Sequence, residues 1–101
     1  MQTSTRTISE KAVISVSGRF DFSAHREFRN ACGAALRSND VSEIEVDFGN
    51  VEYLDSSALG MLLMLKEQAT AARKGVALSN CRGTVKRVLD IANFAKLFAI
   101  R

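Results

Sequence analysis

The sequence predicts one α/β domain built on a mixed β-sheet and spanning residues 1–101. Two observations predict it. Strand-like alternation and helix-like spacing of apolar residues take turns along the chain, in the order β-β-α-β-α-β-α-β. The first two strands are close enough for a hairpin, whereas a helix separates every later pair. That spacing implies parallel neighbours joined by right-handed crossovers. A chain of 101 residues suits one core, and no linker, internal repeat or low-complexity tract divides it.

Each element has its own local warrant. Thr3 to Ile8 is a threonine-rich strand, and Ser9-Glu10-Lys11 turns it into Ala12–Val16, a stronger strand ending near Gly18. A helix is expected from about Ser23 to Arg37, where Phe28, Ala31, Cys32, Ala35 and Leu36 fall at helical spacing. Asp21 or Ser23 can cap its start, and Ser38-Asn39-Asp40 stops it. Glu43 to Phe48 alternates: Ile44, Val46 and Phe48 share one face, and Glu43, Glu45 and Asp47 share a wet one. Gly49-Asn50 is expected to break this strand. The second helix runs from about Ser56 to Lys74, with Gly75 as its C-terminal cap. Val76–Leu78 is a short strand. A third helix from about Thr84 to Ala92 carries Val85, Val88, Leu89 and Ala92, and Leu97–Ile100 is the last strand.

Composition narrows the function classes. A chain 47% hydrophobic and 25% charged reads as an ordinary soluble globular protein. The net charge of +3 is mild, and no basic run is interleaved with aromatics, so nucleic-acid binding has little support. Cys32 and Cys81 are far apart and form no CxxC or Cys/His grouping; they read as reduced structural thiols of a cytosolic protein. Met1 to Arg6 lacks the apolar core of a signal peptide, and no apolar run is long enough to span a bilayer. The expected location is therefore cytoplasmic. No Walker motif, nucleophile elbow or zinc signature appears, so we expect no catalytic residue, no metal site, no cofactor and no enzyme activity. His25, the only histidine, has no Ser or Cys motif to serve and reads as a surface residue.

The chemistry concentrates in Tyr53-Leu54-Asp55-Ser56-Ser57-Ala58-Leu59-Gly60. An acid and two hydroxyls stand at the entry to a long, very apolar helix. Unpaired N–H groups and the positive end of the helix dipole lie there, which suits a cap and also suits an anion such as a phosphorylated serine. Ser56 and Asp55 each have a capping explanation beside a functional one. Ser57, one residue further in, is the second candidate acceptor, with its hydroxyl expected to turn back on the backbone. On this helix we assign Leu59, Leu62, Leu63 and the stem of Lys66 to the core. Gly60, Met61, Met64 and Gln68 lie opposite, either as core filling or as a flexible apolar contact surface. Asp21 serves either turn chemistry or a contact near Ser56.

Three segments resemble the STAS family, specifically its stand-alone bacterial anti-sigma factor antagonists. They are Asp55-Ser56-Ser57-Ala58-Leu59-Gly60, Gly18-Arg19-Phe20-Asp21 followed by Ala24, and Val85-Lys86-Arg87-Val88-Leu89-Asp90-Ile91 followed by Phe94. The resemblance, in matching order, covers nearly the whole chain. It implies a switch. The unphosphorylated protein binds an anti-sigma factor that is a serine kinase, and the sigma factor is released. The partner kinase uses ATP to phosphorylate Ser56, which ends binding, and a metal-dependent serine phosphatase resets the system. The implied contact set is Asp21, Ser23, Asp55, Ser56, Ser57, Gly60, Met61 and Met64, on a monomer or weak dimer with no direct membrane insertion. Two features depart from the pattern: Arg19 stands where an acid is common, and the chain stops where many relatives add a helix. The alternative is an unphosphorylated STAS assembly subunit of an ABC transport complex or a stress-sensing scaffold.

Overall fold

The computed structural model describes residues 1–101. Strands β1 (Gln2–Ile8) and β2 (Lys11–Phe20) lead through a short 3-10 turn, Phe22–Ala24, to helix α1 (His25–Arg37). Then come β3 (Glu43–Leu54), α2 (Ser56–Ala71), β4 (Gly75–Ser79) and α3 (Gly83–Ile91). A second 3-10 turn, Phe94–Lys96, precedes β5 (Ala99–Ile100). The sheet order is β1-β2-β3-β4-β5; the first pair is antiparallel and the others are parallel. Strands added always in one direction through right-handed crossovers carry their helices to one face of the sheet. That face is the core. Ile14, Val16, Ile44, Val46, Phe48 and Leu78 meet Phe28, Leu62, Leu65 and Leu89 in one apolar cluster. Phe20 anchors its upper end, with its ring 4.9 Å from Phe28 and 6.2 Å from Phe48. Each large side chain buried this way contributes about 1.5–3 kcal/mol of transfer free energy.

The opposite face is neither bare nor fully wet. Lys11 pairs with Glu45 at 3.1 Å, and Arg101 reaches Glu43 at 2.9 Å and Glu45 at 3.1 Å. Asp47 accepts hydrogen bonds from the Gly49 N–H at 2.8 Å and the Asn80 amide at 2.9 Å. The strand acids are thus partners in a cross-sheet network.

Several expected boundaries move. Gly49-Asn50 does not end β3. The register steps from Ser15↔Asp47 to Ser17↔Asn50, and again between Gly18↔Val51 and Arg19↔Tyr53, so the strand absorbs extra residues as bulges and runs on to Leu54. Glycine suits the first bulge, since a Cβ at Gly49 would lie 3.1 Å from the Asp47 carboxylate. Strand β2 likewise continues past Gly18, which takes a positive φ of 88°. α1 begins at His25 rather than Ser23, because Asp21 caps the preceding 3-10 turn instead. α2 ends at Ala71, and Gly75 is not its cap: Arg73 takes the left-handed conformation, and Gly75 opens β4. Just beyond, the Lys74 ammonium donates to the Ser38 and Val41 carbonyls and ties this corner to the end of α1. The last strand shrinks to Ala99–Ile100 because the chain after α3 folds into the second 3-10 turn.

Candidate functional site

The overrun of β2 and β3 builds the site. Phe20 and Leu54 are register partners at the ends of these neighbouring strands, and the Asp55 N–H donates to the Phe20 carbonyl at 3.3 Å. The next residues, Asp21 and Asp55, therefore leave the sheet side by side. Each turns its chain into a helical segment in the same way. The Asp21 carboxylate accepts the Ser23 N–H at 3.0 Å and the Ser23 hydroxyl at 2.6 Å. The Asp55 carboxylate accepts the Ala58 N–H at 3.0 Å, and the Asp55 carbonyl accepts the Leu59 N–H at 3.2 Å.

This geometry divides the roles that the sequence left open. Asp55 is the N-cap of α2, with extended backbone and its carboxylate on the third helical N–H. Ser56 is then the first helical residue, exposed and relieved of capping. Ser57 is exposed as well, one position further in. Around Asp21, the Ser23 hydrogen bonds and the nearby Arg19 guanidinium hold the carboxyl below its ordinary 3.8. Arg19, the departure noted above, lies 3.7 Å from the Asp21 carboxylate and stacks on the Tyr53 ring at 4.1 Å. Its charge is thus held against the site's own residues.

The faces of α2 correct the sequence reading. The buried row is Ala58, Met61, Leu62, Leu65 and Ala69. Met61, expected opposite the core, is only 8% exposed and belongs to it. Leu63, assigned to the core, is 42% exposed, beside Met64 at 51%. The exposed stripe that continues from Ser56 is thus Gly60, Leu63, Met64 and Glu67. Nothing lies within 4 Å of a Cβ built on Gly60, so a partner's backbone can come close there. Sequence reasoning also missed Phe22, which sits between Asp21 and Ser23 and is 75% exposed. A lone large apolar residue flanked by two capping side chains is the signal that could have found it. Together, the caps, the Ser56 hydroxyl and the Phe22, Leu63 and Met64 side chains form a mixed surface suited to protein contact.

The thiols do not add a nucleophile. Burial pushes Cys32 up to about 12 and Cys81 up to about 11, far above the range of a reactive thiolate. No three His, Cys, Asp or Glu side chains gather as metal ligands, and no helix is long and apolar enough to cross a membrane.

Comparison with known proteins gives a consistent result. A family model described as Mlab, STAS domain, matches residues 3–99. A STAS-domain containing protein of Pseudomonas aeruginosa strain UCBPP-PA14 is 42% identical over 91 residues, covering 90% of this chain and 88% of that one. Among solved structures, an anti-sigma factor antagonist from Mycobacterium paratuberculosis superposes with a TM-score of 0.82 at 25% identity, over 98% of this chain and 83% of its own. The anti-sigma factor antagonist SpoIIAA in its unphosphorylated form shares the fold, with a TM-score of 0.75 at 22% identity, over 98% and 86% of the two chains. The phosphorylated form of Bacillus SpoIIAA shares it too, with a TM-score of 0.74 at 21% identity, over 98% and 90%.

Proposed function

The chain belongs to the STAS domain family, and we propose that it is an anti-sigma factor antagonist switched by phosphorylation of Ser56. The unphosphorylated protein binds an anti-sigma factor of the serine-kinase type through the Asp21–Ser23 turn and the Ser56 end of α2. Phosphorylation by that partner ends binding, and a metal-dependent serine phosphatase restores it. The observation that carries this reading is the division of labour at the helix start: Asp55 makes the cap, and Ser56 presents an exposed hydroxyl at the first helical position.

The physics of such a switch is local. A phosphate on Ser56 adds about −1.5 to −2 charges. The N-terminal dipole of α2 tolerates them, so the fold survives. An acidic partner group brought against Ser56 does not. Two unit charges about 4 Å apart repel by roughly 1 kcal/mol in water and by about 4 kcal/mol at a half-buried contact. Each ~1.4 kcal/mol is tenfold in affinity, so a dry interface is lost without unfolding the domain.

The test is intact-mass and phosphopeptide analysis of the protein from its native cells, in exponential growth and under stress. A condition-dependent phosphate on Ser56 is the expected result. A protein that stays abundant and phosphate-free in both conditions would overturn the switch and leave a constitutive assembly subunit of a transport complex or scaffold as the reading.

A further inference from the structure

The sheet has two edges, and they are unlike. β5 is two residues long and is followed by Arg101, whose side chain Glu43 and Glu45 hold. β1 is seven residues long and pairs on one side only. Its register with β2 runs from Gln2↔Ser17 to Ile8↔Lys11 without a shift, whereas the β2–β3 pair is interrupted by bulges. Edge strands are ordinarily protected by shortness, proline, bulges or several charges. β1 has none of these: the chain contains no proline, and Arg6 is the strand's single charge.

The hairpin fixes which groups the free edge shows. Only Ser9 and Glu10 lie between the paired Ile8 and Lys11, and a two-residue loop closes on a hydrogen-bonded pair. Hydrogen-bonded and non-hydrogen-bonded pairs alternate along antiparallel strands. Gln2, Ser4, Arg6 and Ile8 therefore turn their N–H and C=O groups to β2, and Thr3, Thr5 and Thr7 turn theirs to the open edge. The Gln2 carbonyl agrees with that direction, since it accepts the Ser17 hydroxyl of β2 at 3.5 Å. The threonine side chains share the helix-bearing face: they oppose the core residues Val16, Ile14 and Ala12, and Thr3 donates to Glu27 of α1 at 3.0 Å. Thr5 and Thr7 are exposed there. Beyond Glu27, the same flank of α1 carries Ala31 and Ala34, too short to cover the edge.

We propose that β1 pairs antiparallel with β1 of a second copy of this chain, about a two-fold axis at Thr5. In this register Thr5 meets Thr5 and Thr3 meets Thr7, all as hydrogen-bonded pairs, so every outward N–H and C=O of the strand finds a partner. A ladder of β-branched hydroxyl side chains forms on the helix-bearing face. On the other face, Arg6 lies opposite Ser4 and Ile8 opposite Gln2, so no like charges meet. The Thr3 residues of the two copies stand roughly 14 Å apart along the strands, which separates the Glu27 carboxylates beside them. An axis at Arg6 would set arginine against arginine, and one at Ser4 would shorten the overlap. This self-complementarity favours a second copy over an unrelated extended peptide. Seven residues a side is fewer than the roughly 20–30 of a standard interface, so the dimer is a weak one. It joins two sheets into one and sends the two Ser56 ends in opposite directions, leaving each free for its own partner.

The test is sedimentation equilibrium of the full chain from micromolar to millimolar concentration, with amide hydrogen exchange at both ends of that range. We expect a monomer–dimer equilibrium. The Ser4 and Arg6 amides should be protected throughout, and the Thr3, Thr5 and Thr7 amides only where the dimer is populated. Thr5→Lys sets two ammonium groups against each other at the axis and should weaken dimerisation at least about tenfold. Ser4→Glu faces Arg6 of the second copy and should tighten it. Both sites are exposed, so the thermal midpoints of dilute samples should match wild type. The proposal fails if the chain stays monomeric at millimolar concentration, which would leave the edge to a peptide of another protein. It also fails if a dimer forms without protecting the threonine amides, if Thr5→Lys dimerises as tightly as wild type, or if Ser4→Glu dimerises no more tightly. None of these outcomes depends on phosphate at Ser56, so this inference and the switch fail separately.

Discussion

Asp55 and Ser56 are adjacent in sequence but differ in what they do. The Asp55 carboxylate holds the Ala58 N–H, so removing it strips a cap; Ser56 holds no such bond and faces outward. Asp55→Ala is expected to cost about 0.5–2 kcal/mol of stability, and Ser56→Ala to stay within about 0.5 kcal/mol, read from denaturant midpoints. Affinity for the partner should rank differently. Ser56→Ala should bind constitutively, and Ser56→Asp or Ser56→Glu at least about tenfold more weakly. Equal affinity of wild type and all three variants, measured calorimetrically, would remove the switch. Asp21 repeats the capping logic on the neighbouring strand. Because Ser23 holds its carboxyl low, Ser23→Ala should let the Asp21 titration move back up toward its ordinary value.

Among the elements, α2 matters most, because one helix carries the site on one side and the core on the other. Leu62 and Leu63 are consecutive leucines on opposite sides of that divide: Leu62 is fully buried and Leu63 is largely open. Leu62→Ala should therefore cost about 2–5 kcal/mol, since it loses transfer free energy and leaves a cavity. Leu63→Ala should change stability by no more than about 0.5 kcal/mol while weakening the partner complex. Thermal unfolding of both variants, with a binding titration of Leu63→Ala, separates the two roles. If Leu63→Ala were as destabilising as Leu62→Ala, the face assignment would be wrong. Gly60 lies on the same outer stripe with open space around it. Its place in a helix interior, at roughly 1 kcal/mol less stability than alanine, leaves room for close approach by a partner.

The whole molecule is a one-sided sheet. All three crossovers advance the same way, so one face holds the apolar core and the other holds the charge network. Glu45 is the centre of that network. Burial alone would raise its carboxyl, but the Lys11 ammonium, the Ser79 hydroxyl and the Arg101 guanidinium together hold it below its ordinary 4.5. A group whose folded value is depressed stabilises the fold above its unfolded value and loses that contribution as pH falls through the folded one. Stability should thus decline on acidification below about pH 4.5, and Lys11→Ala should bring the Glu45 titration back up. Glu45→Gln should flatten the acid limb of a stability–pH curve, and an unchanged limb in that variant would show that other carboxylates set it.

Order and type of the elements were legible in the sequence because the periods are written in the side chains. Alternation in Glu43–Phe48 and helical spacing in α1 and α3 are local properties that packing had no reason to override. The cap-and-hydroxyl motif at Asp55-Ser56 was legible for the same reason. Three things were decided only by tertiary structure. The strand β3 runs through Gly49-Asn50 because β2 supplies hydrogen-bond partners that absorb the bulges, and no local signal reports a neighbour's register. The outward side of α2 could not be read because its first ten residues are apolar or small all round, so only packing against the sheet selects Met61 over Leu63 for the core. The meeting of Asp21 with Asp55 follows from both strands ending together, since residues far apart in the chain become neighbours only when the sheet closes the distance.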